Sequence, residues 1–116
     1  MSITRLHSGP RMSQGVVHGD TVYLSGQVAQ NARGQSVKDQ TTDILAAIDS
    51  LLAEAGSDKS KLLSATIWLT DMRTFNDLNE VWDAWIDPAN PPARACVESR
   101  LAAPGFDVEI GIIAAK

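Results

Sequence analysis

Three side chains able to do chemistry alternate along one segment near the C-terminal end of the chain. Arg94, Cys96 and Glu98 occupy every second position, so in a β-strand all three point to the same face of the sheet. An arginine guanidinium binds a carboxylate through two parallel hydrogen bonds. The pattern indicates a carboxylate-binding site or a solvated strand face with Arg94 in a surface ion pair. From the residues alone the ion pair is favoured, because exposed arginines are common.

A single carboxylate interrupts the last apolar run of the chain. Glu109 lies in the segment Val-Glu-Ile-Gly-Ile-Ile at positions 108–113, where a charged group needs a partner or access to water. It can orient a water molecule, or it can be a gatekeeper that stops an edge strand from pairing with other chains. The residues alone favour the gatekeeper.

The only cysteine, Cys96, would need an adjacent base, usually histidine, to act as a nucleophile. The two histidines, His7 and His18, lie far away in the N-terminal part of the sequence, so we predict a small buried thiol. Neither histidine is spaced from other His or Cys residues as metal ligands are. Nucleotide-binding glycine loops and nucleophile elbows are absent from the sequence. The residues therefore predict neither a metal site nor a nucleotide cofactor.

Size and composition restrict the class of protein. The 116 residues are 44% hydrophobic and 21% charged, as expected of one globular domain spanning positions 1–116. The formal net charge of −4, with lysine and arginine scattered singly, weighs against nucleic-acid binding. The sequence predicts no membrane span, signal peptide or internal disulfide. We expect a cytoplasmic protein.

Periodicity predicts the elements that position these residues. Two β-prone runs flank Gly19-Asp20 and predict a hairpin, whose second strand ends at Ser25-Gly26, where glycine permits a close backbone approach by a ligand. Apolar residues at helical spacing predict one helix from about Val37 to Gly56 and a second with Thr74 as its N-cap. Further strands are predicted at positions 62–69, 93–99 and 107–114, the first with Leu63, Ala65, Ile67 and Leu69 on one face.

This order of elements predicts an α+β fold in which two helices pack on one face of a mixed sheet. The chain has no third layer to cover the other face of the sheet. We therefore expect self-association.

Three blocks of sequence resemble the RidA family, also called YjgF. They are Val-Tyr-Leu-Ser-Gly-Gln-Val at 22–28, Pro-Ala-Arg-Ala-Cys-Val at 92–97 and Val-Glu-Ile at 108–110. The resemblance extends over nearly the whole chain. It implies a chorismate-mutase-like fold assembled as a homotrimer with clefts between subunits. The activity it implies is hydrolysis of enamines and imines released by pyridoxal-phosphate enzymes, such as 2-aminoacrylate, to 2-keto acids and ammonia, without a cofactor.

The resemblance also implies roles for individual residues. Arg94 would bind the substrate carboxylate, Glu109 would hold the attacking water, and Cys96 and Ser25 would line the cleft. Many family members carry tyrosine in the segment Gly-Pro-Tyr-x-Gln-Gly, whereas here Met12 takes that position. The departure predicts a side branch of the family whose pocket prefers a different or bulkier side chain.

Two other functions remain open at this point. One is a non-catalytic binder of small carboxylates or a chaperone-like protein. The other is an endoribonuclease, an activity attributed to some family members, although the acidic composition and the lack of a histidine pair weigh against it.

Overall fold

A six-stranded mixed sheet carries two helices on one of its faces. The computed structural model describes residues 1–116 throughout. The sheet order is β1-β2-β3-β6-β4-β5, and only the β4–β5 pair is parallel. The elements are β1 (Ile3–Leu6), β2 (Gly15–His18), β3 (Thr21–Val28), α1 (Val37–Glu54), β4 (Leu62–Leu69), α2 (Phe75–Trp85), β5 (Ala93–Glu98) and β6 (Val108–Ala115). The predicted α+β class is confirmed.

The core lies between the sheet and the helices. In β3 the side chains of Val22 and Leu24 are buried while Tyr23 is exposed, which confirms the predicted alternation. On the helix side, Ile44, Ile48, Leu51, Leu52 and Ala55 are all buried, as their spacing predicts. Gly56 follows this helix with φ of +80°, a left-handed conformation that suits glycine at a helix end.

Thr74 occupies the N-cap position of α2, as predicted, but its side chain does not cap the helix. The Thr74 hydroxyl donates to the Asp71 carbonyl and makes no capping bond to the helix. A short 3-10 turn, Met72–Thr74, precedes α2, and the Asp71 carboxylate accepts the backbone N–H of Arg73 at its start. The helix therefore continues the 3-10 turn, which Asp71 caps three residues before Thr74.

Three strand predictions need correction. Leu63 is 50% exposed rather than in the core, because the register shifts between Leu62 and Ser64 and Leu62 is buried in its place. The gatekeeper interpretation of Glu109 is wrong, because β6 is an interior strand between β3 and β4. The edge strand β1 was not predicted at all.

The second face of the sheet has no covering element. Tyr23 and Val97 are each 46% exposed, and half-buried side chains such as Trp68 and Ile113 lie on the strands between them. Such a surface fits the expectation of self-association, which stays a prediction. No helix has the length and apolar character needed to cross a membrane.

Candidate functional site

A β-bulge in β3 forms one side of the candidate site. Leu24 pairs with Ile112 and Gln27 pairs with Ile110, with a register shift between them, so Ser25 and Gly26 together lie opposite the single residue Gly111. A bulge bends its strand and redirects the neighbouring side chains. The predicted strand end at Ser25-Gly26 is therefore wrong, because β3 continues to Val28 beyond the bulge.

The carboxylate of Glu109 lies directly against Gly26. A Cβ atom added at Gly26 would be 2.2 Å from Glu109 Oε2 and 2.8 Å from its Cδ, closer than non-bonded atoms can approach. Glycine leaves room at this position for the carboxylate, which occupies the space of a side chain. The close approach predicted for a ligand is thus made by a residue of the protein itself.

Glu109 is half-buried without a charged partner. Burial raises the pKa of its carboxyl, because the ionised form loses hydration, and the carboxylate takes part in none of the salt bridges. It opens onto a cleft of about 570 Å³, which is lined by Met12, Gln14, Gly26, Gln27, Val28, Gln30, Ala102, Phe106 and Glu109. A carboxylate with a raised pKa in a cleft is a candidate general base.

A network of two amides and a hydroxyl lies beside this carboxylate. Gln14 Oε1 accepts hydrogen bonds from Ser25 Oγ at 3.1 Å and from Gln27 Nε2 at 3.0 Å. Gln27 Nε2 also contacts Ser25 Oγ at 3.0 Å. The network fixes the predicted site residue Ser25 against the cleft wall. Gln27 and the role of Gln14 were missed, because glutamines in a polar segment carry no pattern that indicates a site.

Arg94 projects from the edge strand β5 toward α2. Its Cζ atom lies 5.4 Å from the Trp82 ring centroid and 5.7 Å from that of Phe75, distances typical of cation–π contacts. It forms none of the three salt bridges, so the surface ion-pair interpretation is wrong. The aromatic contacts hold the side chain while its five N–H donors remain available for a carboxylate.

Cys96 and Glu98 share the strand face with Arg94, as the alternation predicted. Cys96 packs against the core, and burial raises the pKa of its thiol although Arg94 opposes the shift. A raised pKa keeps the thiol protonated and poorly nucleophilic, in agreement with a packing role. The Glu98 carboxylate accepts the backbone N–H of Met72, which assigns it to the turn before α2.

The single chain does not bring Arg94 and Glu109 together. Arg94 pairs with the buried Ala65 and shares the helix side of the sheet, whereas Glu109 alternates with buried residues, pairs with Trp68 and lies on the open side. The two residues are separated by about 10 Å along the strands and about 10 Å across them. Met12 and Glu109 thus line one cleft, and Ser25 adjoins it through its hydrogen bonds with Gln14 and Gln27, while Arg94 and Cys96 lie elsewhere.

Histidines and acidic residues form no further centre in this fold. No group of three or more His, Cys, Asp or Glu side chains is arranged to hold a metal ion. His7 bonds the Glu54 carboxylate, and His18 is exposed at the end of β2.

The family model described as Endoribonuclease L-PSP matches residues 2–116 of this chain. The chain belongs to this family, which is also called YjgF, RidA or RutC. A RutC family protein of Haemophilus influenzae is 44% identical over 98% of this chain and 98% of its own length. The RutC family protein YoaB of Escherichia coli is 40% identical over 99% of both chains.

A solved structure supports the same assignment. The crystal structure of a YjgF family member from Neisseria meningitidis is 46% identical and superposes with a TM-score of 0.94, covering 100% of this chain and 96% of the other. The RidA-like resemblance of the sequence is therefore confirmed. The three sequence blocks that carried it lie on β3, β5 and β6 of this RutC family protein, the strands that hold Ser25, Arg94 and Glu109.

Substitution of Gly26 tests the position of the Glu109 carboxylate. Gly26→Ala should push this carboxylate aside, and we expect kcat/KM for the reaction proposed below to fall about 100-fold, as misplacement of a reacting group by about 1 Å does. The displaced group is the end of a flexible side chain, so the free energy of unfolding should change by less than about 1 kcal/mol.

Gly9→Ala is the matched control for this substitution. An added Cβ at Gly9 would make only an ordinary contact of 3.8 Å to the Met12 carbonyl oxygen. Steady-state kinetics and thermal unfolding of both variants provide the comparison. Full activity in folded Gly26→Ala would show that the position of the carboxylate does not matter.

Proposed function

We propose that this protein hydrolyses reactive 2-imino acids and their 2-enamino tautomers, of the kind released by pyridoxal-phosphate enzymes, to 2-keto acids and ammonia. The observation that carries the proposal is Glu109, a half-buried carboxylate with a raised pKa and no charged partner in an open cleft. A structural carboxylate in an apolar strand would be expected to have a partner. The family membership and the sequence block around Arg94 support the substrate class.

The reaction needs a general base and a group that binds the carboxylate of the substrate. The enamine tautomerises to the imine, and a water oxygen bonds to the C=N carbon while Glu109 accepts a proton from that water. The proton then passes to the nitrogen of the tetrahedral adduct. The hydroxyl of this adduct then gives its remaining proton, through Glu109, to the nitrogen, so that the C–N bond breaks, ammonia leaves and the keto oxygen forms. Because the substrate is already reactive, positioning supplies much of the rate.

We infer that Arg94 and Glu109 of one site come from different copies of the chain. A small imino acid cannot reach both residues in one chain, because they lie on opposite faces of the sheet. The uncovered sheet face provides a surface for association, and the guanidinium is available on an edge strand. The homotrimer implied by the sequence resemblance would juxtapose the two halves, with Cys96 beside the guanidinium and Ser25 beside the carboxylate.

Two alternatives deserve comparison with the hydrolase. A non-catalytic binder of small carboxylates would use Arg94 but has no need for a carboxylate base in the cleft. An endoribonuclease would need to attract an RNA backbone, and the net charge of −4 opposes that. The hydrolase is the function that uses both Arg94 and Glu109.

A trapping assay tests the proposal. An amino-acid oxidase generates the imine, semicarbazide traps what remains, and the protein should lower the rate at which the trapped product forms. Arg94→Ala should lose this effect. Arg73→Ala is the matched control, because Arg73 is an exposed arginine paired with Asp71.

If wild type and Arg94→Ala remove the imine at equal rates, the proposed hydrolase activity is contradicted. Calorimetry with 2-ketobutyrate separates the binder from the enzyme. Heat of binding without any imine clearance would favour the binder.

A further inference from the structure

We propose that the preferred substrates carry a neutral, apolar side chain larger than an ethyl group, and that Phe106 and Met12 form the wall that selects it. The inference rests on the proposed imine hydrolysis and adds the substrate class to it. It comes from the size, lining and rigidity of the cleft around Glu109.

The lining of the cleft divides into a polar and an apolar part. Gln14, Gln27 and Glu109 contribute polar groups, whereas Met12, Val28, Ala102 and Phe106 contribute apolar surface. The reacting carbon must lie near Glu109, where the water is activated. The substrate side chain is then left to contact the apolar part, because no other large apolar surface lines the cleft.

The loop that carries Phe106 is held in place on one side by three contacts. Arg33 Nε donates to the Pro104 carbonyl at 2.8 Å, and its Cζ atom lies 4.7 Å from the Phe106 ring centroid. The backbone N–H of Gly34 donates to the Gly105 carbonyl at 2.9 Å.

A buried amide fixes the loop from its other side. Gln40, which is fully buried, donates from Nε2 to the Gly105 carbonyl at 3.0 Å and accepts the N–H of Asp107 at 2.9 Å. The residues on both sides of Phe106 are thus bonded to α1 or to the loop before it. A wall fixed in this way selects by shape, because it does not rearrange around a small ligand.

Size and charge define the substrate class further. The part of the site that one copy contributes, a cleft of about 570 Å³, lies within the range of about 300–1,000 Å³ that is typical of sites for drug-sized ligands. The methyl or ethyl side chain of the smallest imino acids leaves much of this space empty. Glu109 is the only charged residue that one copy contributes to the lining, so an acidic substrate side chain in this part of the cleft would be repelled by its carboxylate.

The test compares imines generated in the trapping assay from alanine, phenylalanine and glutamate. Wild-type kcat/KM should be at least about tenfold higher for the phenylalanine-derived imine than for the other two. Phe106→Ala should lower the phenylalanine-derived value by about 10- to 100-fold and change the alanine-derived value by less than about threefold. Phe106→Leu, which keeps an apolar wall, should retain more of the preference. Thermal unfolding confirms that each variant is folded.

The outcomes separate this inference from the proposal on which it rests. Equal wild-type values for the alanine- and phenylalanine-derived imines would overturn the side-chain selection and leave the hydrolase intact. A uniform loss in Phe106→Ala would overturn the role of the wall in the same way. Hydrolysis of none of the imines would overturn both.

Discussion

An equal mixture of Arg94→Ala and Glu109→Gln copies should regain imine hydrolysis that neither variant shows alone. In the symmetric assembly proposed above, every site would take Arg94 from one copy and Glu109 from its neighbour. Random co-assembly therefore gives about a quarter of the sites both functional residues. The two variants are co-expressed at equal levels with the same affinity tag, so that assemblies of every composition are purified together, and are assayed by imine trapping.

A second mixture controls for the efficiency of co-assembly. Wild type combined with the double variant Arg94→Ala/Glu109→Gln should retain about a quarter of the activity if the sites are shared between copies, and about half if each chain holds its own site. No recovery in the first mixture, together with half activity in the second, would place the whole site in one chain. That result would require the strand arrangement around Arg94 to change on binding.

Glu109→Gln should abolish most of the activity and stabilise the protein. Loss of a general base typically lowers the rate about 100- to 10,000-fold. Because burial raises the pKa of Glu109, the wild-type activity should decline on the acidic side at a higher pH than an ordinary glutamate would give. Wild-type kcat/KM as a function of pH measures this limb.

The stability effect has a definite sign. A carboxyl with a raised folded-state pKa favours folding when protonated, and that contribution is lost as the pH rises through this pKa. At neutral pH the ionised carboxylate therefore destabilises the fold. Glu109→Gln should raise Tm at pH 7 by about 1 to 2 °C, a small shift because the group is solvent-screened, and should leave it unchanged below the ordinary pKa of glutamate. Thermal unfolding at both pH values provides the measurement.

Glu80→Gln is the matched control for Glu109→Gln. Its carboxylate is exposed on α2 and pairs with Lys38. The substitution should leave the imine hydrolysis unchanged and should not raise Tm. A rise in Tm with both variants would indicate a general effect of lower negative charge rather than release of a buried carboxylate.

The sequence predicted those helices and strands that bury one face and expose the other. The stripe of Ile44, Ile48 and Leu52 predicted α1, and the alternation of Val22 and Leu24 predicted the hairpin, because each pattern records a single buried face. Strand β1 was missed because three of its four residues are exposed and the fourth is half-buried. The position of Leu63 was wrong because a register shift moves one residue out of the alternation, and a local pattern does not show its pairing partner.

The sequence indicated individual candidate residues of the site but not how they are arranged. The types and spacing of Arg94 and Glu109 indicated their chemistry, yet their separation depends on β6 pairing between β3 and β4. Strand order is set by long-range packing. The Gln14–Ser25–Gln27 network and the contact of Glu109 with Gly26 likewise join residues that are 11 or more positions apart.

Strand β5, which carries Arg94, pairs with only one neighbouring strand. How firmly Arg94 is held in position therefore depends on assembly of the chains. Ala93, Arg94 and Ala95 are exposed at the sheet edge, and only β4 bonds their backbone. An isolated copy should therefore open locally at β5 at a lower free energy than at the interior strand β6, with faster hydrogen exchange of its amides. A neighbouring copy that covers this edge would suppress the opening. Association of the chains and affinity for the substrate carboxylate are then thermodynamically linked, and dilution weakens both together.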